Sequence, residues 1–204
     1  MFGLAFVSIK KAVLTVAILT AVVTASAKGR PYYGPISLGP FRIDRNVSMQ
    51  SLFDRLGVPS KKARDSFCYR SASDDAFLVL TRMAEVYGES VAGQVTISDF
   101  PNCFDLPVQV TNDDLAGWKT GKGIGLGSSR QAVITAYGKP SEISVTKGNV
   151  FRWVIHGSSP GLPSIARSKI GDSALSYRSD DDLKTTSFGI RANRVVWISM
   201  SDSE

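Results

Sequence analysis

Few residues of this chain have the types and spacing that catalysis needs. His156 is the sole histidine among 204 residues, so any Ser-His or Cys-His mechanism must pass through it. Period-two alternation over 150–156 puts Phe151, Trp153 and Ile155 on one strand face and His156 with Arg152 on the other. Ser158 and Ser159 follow closely, yet no G-x-S-x-G elbow is present, and His156 reads as a partly exposed strand-end residue. The run Gly121-Lys122-Gly123-Ile124-Gly125-Leu126-Gly127 lacks the spacing of a phosphate loop, because Lys122 is followed by Gly123. It lacks the dinucleotide fingerprint too, because Leu126 stands where glycine is required. Asp180-Asp181-Asp182 has no D-x-D-x-D-G frame for calcium. With Asp74-Asp75 and Asp113-Asp114 it reads as a solvated turn. The expectation is no catalytic residue, no metal and no cofactor.

Cys68 and Cys103 are the two cysteines. The compartment they occupy follows from the start of the chain. Lys10 and Lys11 precede an uncharged apolar run from Ala12 to Val23, and Ala25-Ser26-Ala27 is a small-x-small site before Lys28. That order is a secretory signal peptide over residues 1–27, cleaved between Ala27 and Lys28. The run is shorter than the ~20 residues a bilayer-spanning helix needs. Export predicts a periplasmic or secreted location, with no membrane span after cleavage. An isolated cysteine pair in an oxidising compartment predicts a Cys68–Cys103 disulfide. Losing Lys10 and Lys11 lowers the formal charge from +6 to +4. Export makes nucleic acid an improbable partner, so this mild excess reads as ordinary solubilising charge.

The elements that position these residues show internal similarity. Residues 48–60 (SMQSLFDRLGVPS) align without a gap on residues 129–141 (SRQAVITAYGKPS). Each segment reads as a short amphipathic helix: serine caps its start, glycine ends it, and proline two residues later stops continuation. Leu52, Phe53 and Leu56 fall on Val133, Ile134 and Tyr137 as buried stripes. Ser128 and Gln131 add capping-box spacing to the second segment. Matching strings flank both, among them Tyr69-Arg70-Ser71 with Tyr177-Arg178-Ser179, and Val95–Asp99 with Val196–Ser199. Strands are expected at 150–156, 174–179, 183–190 and 194–200, with a turn at Ala192-Asn193 and a long loop over 157–172. Residues 76–87 fit helix or strand by spacing, and their β-rich run favours a strand at 76–82. The expected fold class is α+β: two tandem repeats, each a short helix packed on an antiparallel β-meander. The first would span 28–112 and the second 113–204.

The string from Gly123 to Val133, with Tyr137-Gly138-Lys139-Pro140, resembles a segment of a periplasmic superfamily. That superfamily includes small outer-membrane assembly lipoproteins and β-lactamase-inhibitory proteins. The resemblance implies helices on an antiparallel sheet and a role in binding other proteins. The chain has no cysteine near residue 28 to accept lipid, and only its first half carries cysteines. The functional expectation is an exported, non-enzymatic binding protein of the bacterial envelope, acting through a protein partner. Tyr32, Tyr33 and Trp118, in Gly/Pro-containing stretches, are the candidate partner-contact aromatics, with cover of a sheet edge or core as their other reading. The competing expectation is a small hydrolase or ligand-binding protein with a cleft between the two halves.

Overall fold

The computed structural model describes residues 37–42, 47–59, 65–86, 89–103, 106–145, 171–179 and 183–202. A small ribbon of β1 (Ser37–Leu38) and β2 (Phe41–Arg42) precedes helix α1 (Met49–Leu56). Strands β3 (Ser66–Ser71), β4 (Phe77–Val86), β5 (Glu89–Ser98) and β6 (Val108–Thr111) follow. Helix α2 (Arg130–Tyr137) leads to β7 (Glu142–Val145), β8 (Ser173–Arg178), β9 (Lys184–Arg191) and β10 (Arg194–Asp202).

Strands β3 to β10 form a single eight-stranded sheet in the order β6-β3-β4-β5-β10-β9-β8-β7. Two pairings give it this form. Strand β5 pairs antiparallel with β10, from Trp197↔Ser98 to Ser201↔Gln94. Strand β6 pairs parallel with β3, which makes the sheet mixed. The fold is thus mostly β, and this overturns the expected α+β pair of tandem helix-on-meander repeats. The physical reason lies in β5 and β10. Each would be an open edge if its own stretch of chain folded alone, and pairing satisfies both rows of backbone groups at once.

Both eight-residue helices are set by their ends. Ser48 Oγ accepts the Ser51 N–H at 3.2 Å, and Ser129 Oγ accepts the Ala132 N–H at 3.1 Å. Gly57 and Gly138 terminate them with φ of 96° and 81°, values that residues with a Cβ seldom adopt. The capping-box expectation for Ser128 is corrected: Ser129 is the cap, and Ser128 Oγ accepts the Gly125 N–H at 3.1 Å. Met49, Leu52 and Leu56 are buried under α1, and Phe53 meets Phe67 edge-on with ring centroids 4.9 Å apart. Below α2, Tyr137 lies 5.1 Å from Tyr177 and 5.0 Å from Phe188. Leu78, Leu80, Val95, Ile97, Leu175, Phe188, Ile198 and Met200 complete this core.

The expected strands near 174–179, 183–190 and 194–200 are present as β8, β9 and β10, and the ambiguous 76–87 segment is β4. Ala192 and Asn193 form the β9–β10 turn with φ of 48° and 64°. The strand expected at 150–156 and most of the loop expected at 157–172 lie outside the described residues. Among the described residues, no helix is long and apolar enough to cross a membrane.

Two tyrosines tie the sheet to the helix ends. Tyr69 Oη donates to Gly57 O at 3.0 Å, and Tyr177 Oη donates to Gly138 O at 3.4 Å. Burial pushes both phenols up, Tyr177 to about 12 despite the opposing pull of Arg130. The fold thus favours the neutral phenol. Its contribution is intact below the ordinary value of 10.0 and is lost as pH climbs to about 12. Melting temperature is expected to fall over that interval, and Tyr177→Phe to make the fall shallower, read by circular dichroism.

Candidate functional site

Alternation along β3 and β4 sorts their side chains by face. Tyr69 and Leu78 turn toward the helices and the core, so Arg70 and Phe77 turn to the opposite face. They stand side by side in register, and the row continues through Ser98 and Trp197 to Gly189. Beside this row the chain leaving β5 supplies Asp99, Phe100 and Pro101, the β3–β4 turn supplies Asp75, and the end of β9 supplies Arg191. Together they line an open hollow of about 540 Å³.

The hollow has an apolar floor between two ion pairs. Arg70 Nη2 lies 3.1 Å from Asp75 Oδ1, and Arg191 Nη2 lies 2.9 Å from Asp99 Oδ2. Burial pushes the Asp99 carboxyl above the usual carboxylate range, and the Arg191 guanidinium and the Asp99 backbone N–H offset only part of that. Asp75 projects into solvent with its side chain 91% exposed.

The wall of the hollow is fastened by the cysteines. Cys68 lies two residues before Arg70 on β3, and Cys103 lies two residues after Pro101. The expected disulfide is present, with Cα atoms 5.6 Å apart and Val79 packed against it. Between Pro101 and Cys103, Asn102 is fully buried, and neither Oδ1 nor Nδ2 has a hydrogen-bond partner among the described residues. A buried unpaired amide costs roughly 1–3 kcal/mol. Asn102→Leu is therefore expected to hold or raise the urea midpoint, whereas Asn102→Asp, which adds a charge at the same volume, is expected to lower it sharply.

Asp74, Asp113 and Asp114 are held by local hydrogen bonds and an ion pair. Asp74 Oδ1 accepts the Ala76 N–H at 2.7 Å and Oδ2 accepts from Ser71 Oγ at 2.9 Å. Burial pushes the Asp74 carboxyl up, but hydrogen bonds from Ala76, Ser71, Ala116 and Ser73 outweigh it and hold the group below its ordinary value. Asp113 pairs with Arg55 at 2.6 Å, and Asp114 Oδ1 accepts the Gly117 N–H at 2.9 Å. Among the described residues, no group of three His, Cys, Asp or Glu side chains is placed to hold a metal ion.

Of the two readings of Trp118, cover of the core is the one its burial matches. It is only 6% exposed, belongs to the core, and its ring lies directly against Gly39. The chain returns beneath the β1–β2 ribbon, where Gly39 N–H donates to Lys119 O and the indole lies against Gly39, out of water. Tyr32, Tyr33, His156, Asp180–Asp182 and the Ala27–Lys28 cleavage point lie outside the described residues. Sequence reading missed the hollow itself. Its one signal was the Phe100-Pro101 pair shortly before Cys103, an apolar turn held in place by a cysteine. Compared with protein-family models, curated proteins and solved structures, the chain matches none.

Proposed function

We propose that this chain is an exported, non-enzymatic binding protein of the bacterial envelope, and that a protein partner docks at the Arg70–Arg191 hollow. The observation carrying this reading is the lining: Phe77, Phe100 and Pro101 lie between two arginine–aspartate pairs. Aromatic rings and arginines are the side chains that dominate protein interfaces. The likeness of the Gly123–Pro140 segment to periplasmic interaction proteins supports the same reading. Capture from an envelope extract by the mature chain, with the partner identified by mass spectrometry and titrated against variants, tests it. Phe77→Ala and Arg191→Glu are each expected to weaken that partner at least tenfold, about 1.4 kcal/mol. Retention of full affinity by both would overturn the reading.

The raised Asp99 carboxyl favours a second reading, in which the hollow holds a small ligand or hydrolyses one. Turnover or ligand binding that disappears in Asp99→Asn, with no partner captured, would establish that alternative instead.

A further inference from the structure

We infer that the partner supplies an extended segment bearing an acidic residue, which adds to the sheet as a new strand along the free edge of β6. This rests on the reading that the hollow is the docking site, and it names how the site is entered. Among the described residues, four large hydrophobic side chains are conspicuously exposed: Val58 at 68%, Val108 at 49%, Val110 at 58% and Ile143 at 58%. Two of them, Val108 and Val110, belong to β6 and share the sheet face of Cys68 and Arg70.

Strand β6 ends the sheet order among the described residues. Thr111 O accepts the Ala72 N–H at 2.8 Å, so Thr111 turns its backbone groups inward. Alternation then turns those of Gln109 inward and those of Val108 and Val110 outward. Val110 O receives a long 3.4 Å contact from the Gln109 side-chain amide, which an incoming N–H can displace. The strand Val-Gln-Val-Thr carries no charge and no proline, the devices by which exposed edges are usually closed to pairing. The opposite edge differs: in β7, Glu142 is paired with Arg178 at 3.4 Å.

The β6 edge is continuous with the hollow. Val110 stands beside Arg70 in register, and Arg70 beside Phe77. The Asp75 partner of Arg70 is 91% exposed, and an ion pair of that kind is easily exchanged. A strand laid along β6 would bring side chains of one face toward Val108 and Val110, with a glutamate or aspartate within the reach of Arg70. Main-chain hydrogen bonds would provide affinity, and the alternating apolar and acidic positions selectivity.

The probe is a capped octapeptide in which valine and glutamate alternate along one face and threonine fills the other. It is titrated into the disulfide-bonded protein and followed by amide NMR and hydrogen exchange. The expected result is slowed exchange at the Val108 and Val110 amides and a shift at Arg70. Binding should weaken at least tenfold when alternate peptide nitrogens are methylated, and again in Val110→Lys. Arg70→Glu should prefer a lysine-bearing peptide. Three results would overturn the proposal: no binding, shifts confined to Phe77 and Phe100 with no effect of N-methylation, or protection of β6 by self-association in sedimentation. The docking reading fails separately, if the envelope partner is captured undiminished by both Phe77→Ala and Arg191→Glu.

Discussion

Trp197→Ala is expected to cost about 3–5 kcal/mol of folding stability, which for a domain of this size is a third or more of the total. Trp197 is fully buried at the middle of the eight-stranded sheet, between Ser98 of β5 and Gly189 of β9. Its indole occupies the space where a side chain on Gly189 would stand: a Cβ there would collide with Nε1, Cε2 and Cδ1 of the ring. The glycine and the tryptophan are therefore one packing unit across two paired strands. Gly189→Ala should cost about 2–3 kcal/mol through overpacking, since neither strand can withdraw without breaking ladder hydrogen bonds. The double substitution Trp197→Leu with Gly189→Ala should cost clearly less than the sum of its parts, because the smaller side chain frees the space that the methyl needs. Urea unfolding of Trp197→Leu, Gly189→Ala and the double variant measures this. Additive costs would show that the two positions do not share that space.

Removing the disulfide is the second large effect. Closing a loop between residues 35 apart restricts the unfolded chain by about 4 kcal/mol in the chain-entropy picture. Cys68→Ala with Cys103→Ala should lower stability by nearly that amount. On the proposed docking at the hollow, it should also weaken partner binding, because the covalent tie from Cys103 to β3 holds Phe100 and Pro101 beside Arg70. Both cysteines are almost fully buried, so reductant should act slowly on the native protein and faster when urea is present. Equal stability of the oxidised and cysteine-free chains in calorimetry would contradict this account. Equal partner affinity of the two would remove the disulfide from the binding site while leaving its structural role.

Local chemistry was readable from local residues. Ser48 and Ser129 had to cap helices and Gly57 and Gly138 to end them, because hydroxyl capping and left-handed backbone depend on few neighbours. The Ala192-Asn193 turn, the strand character of 76–82 and the Cys68–Cys103 bond follow from short-range preference or from having no alternative partner. Trp118 shows where such reasoning leaves two readings open. A tryptophan in a Gly-rich turn looks exposed in sequence, and only the return of the chain beneath β1–β2 shows that it is covered.

What tertiary structure decided was pairing over distance. Nothing in Val95-Thr96-Ile97-Ser98 or Val196-Trp197-Ile198-Ser199 says that these strands meet one another, since any two strands of matching period can pair. That union made a mostly β molecule from segments that read as two α+β repeats, and the parallel return of β6 to β3 made its sheet mixed. The same remoteness hid the hollow, whose two ion pairs join Arg70 to Asp75 but Arg191 to Asp99 across the β5–β10 union. By itself the sequence determined caps, turns, the covalent tie and the alternation of faces. The free energy of satisfying open strand edges and burying Trp197 on Gly189, which exists only once distant strands are assembled, decided the rest.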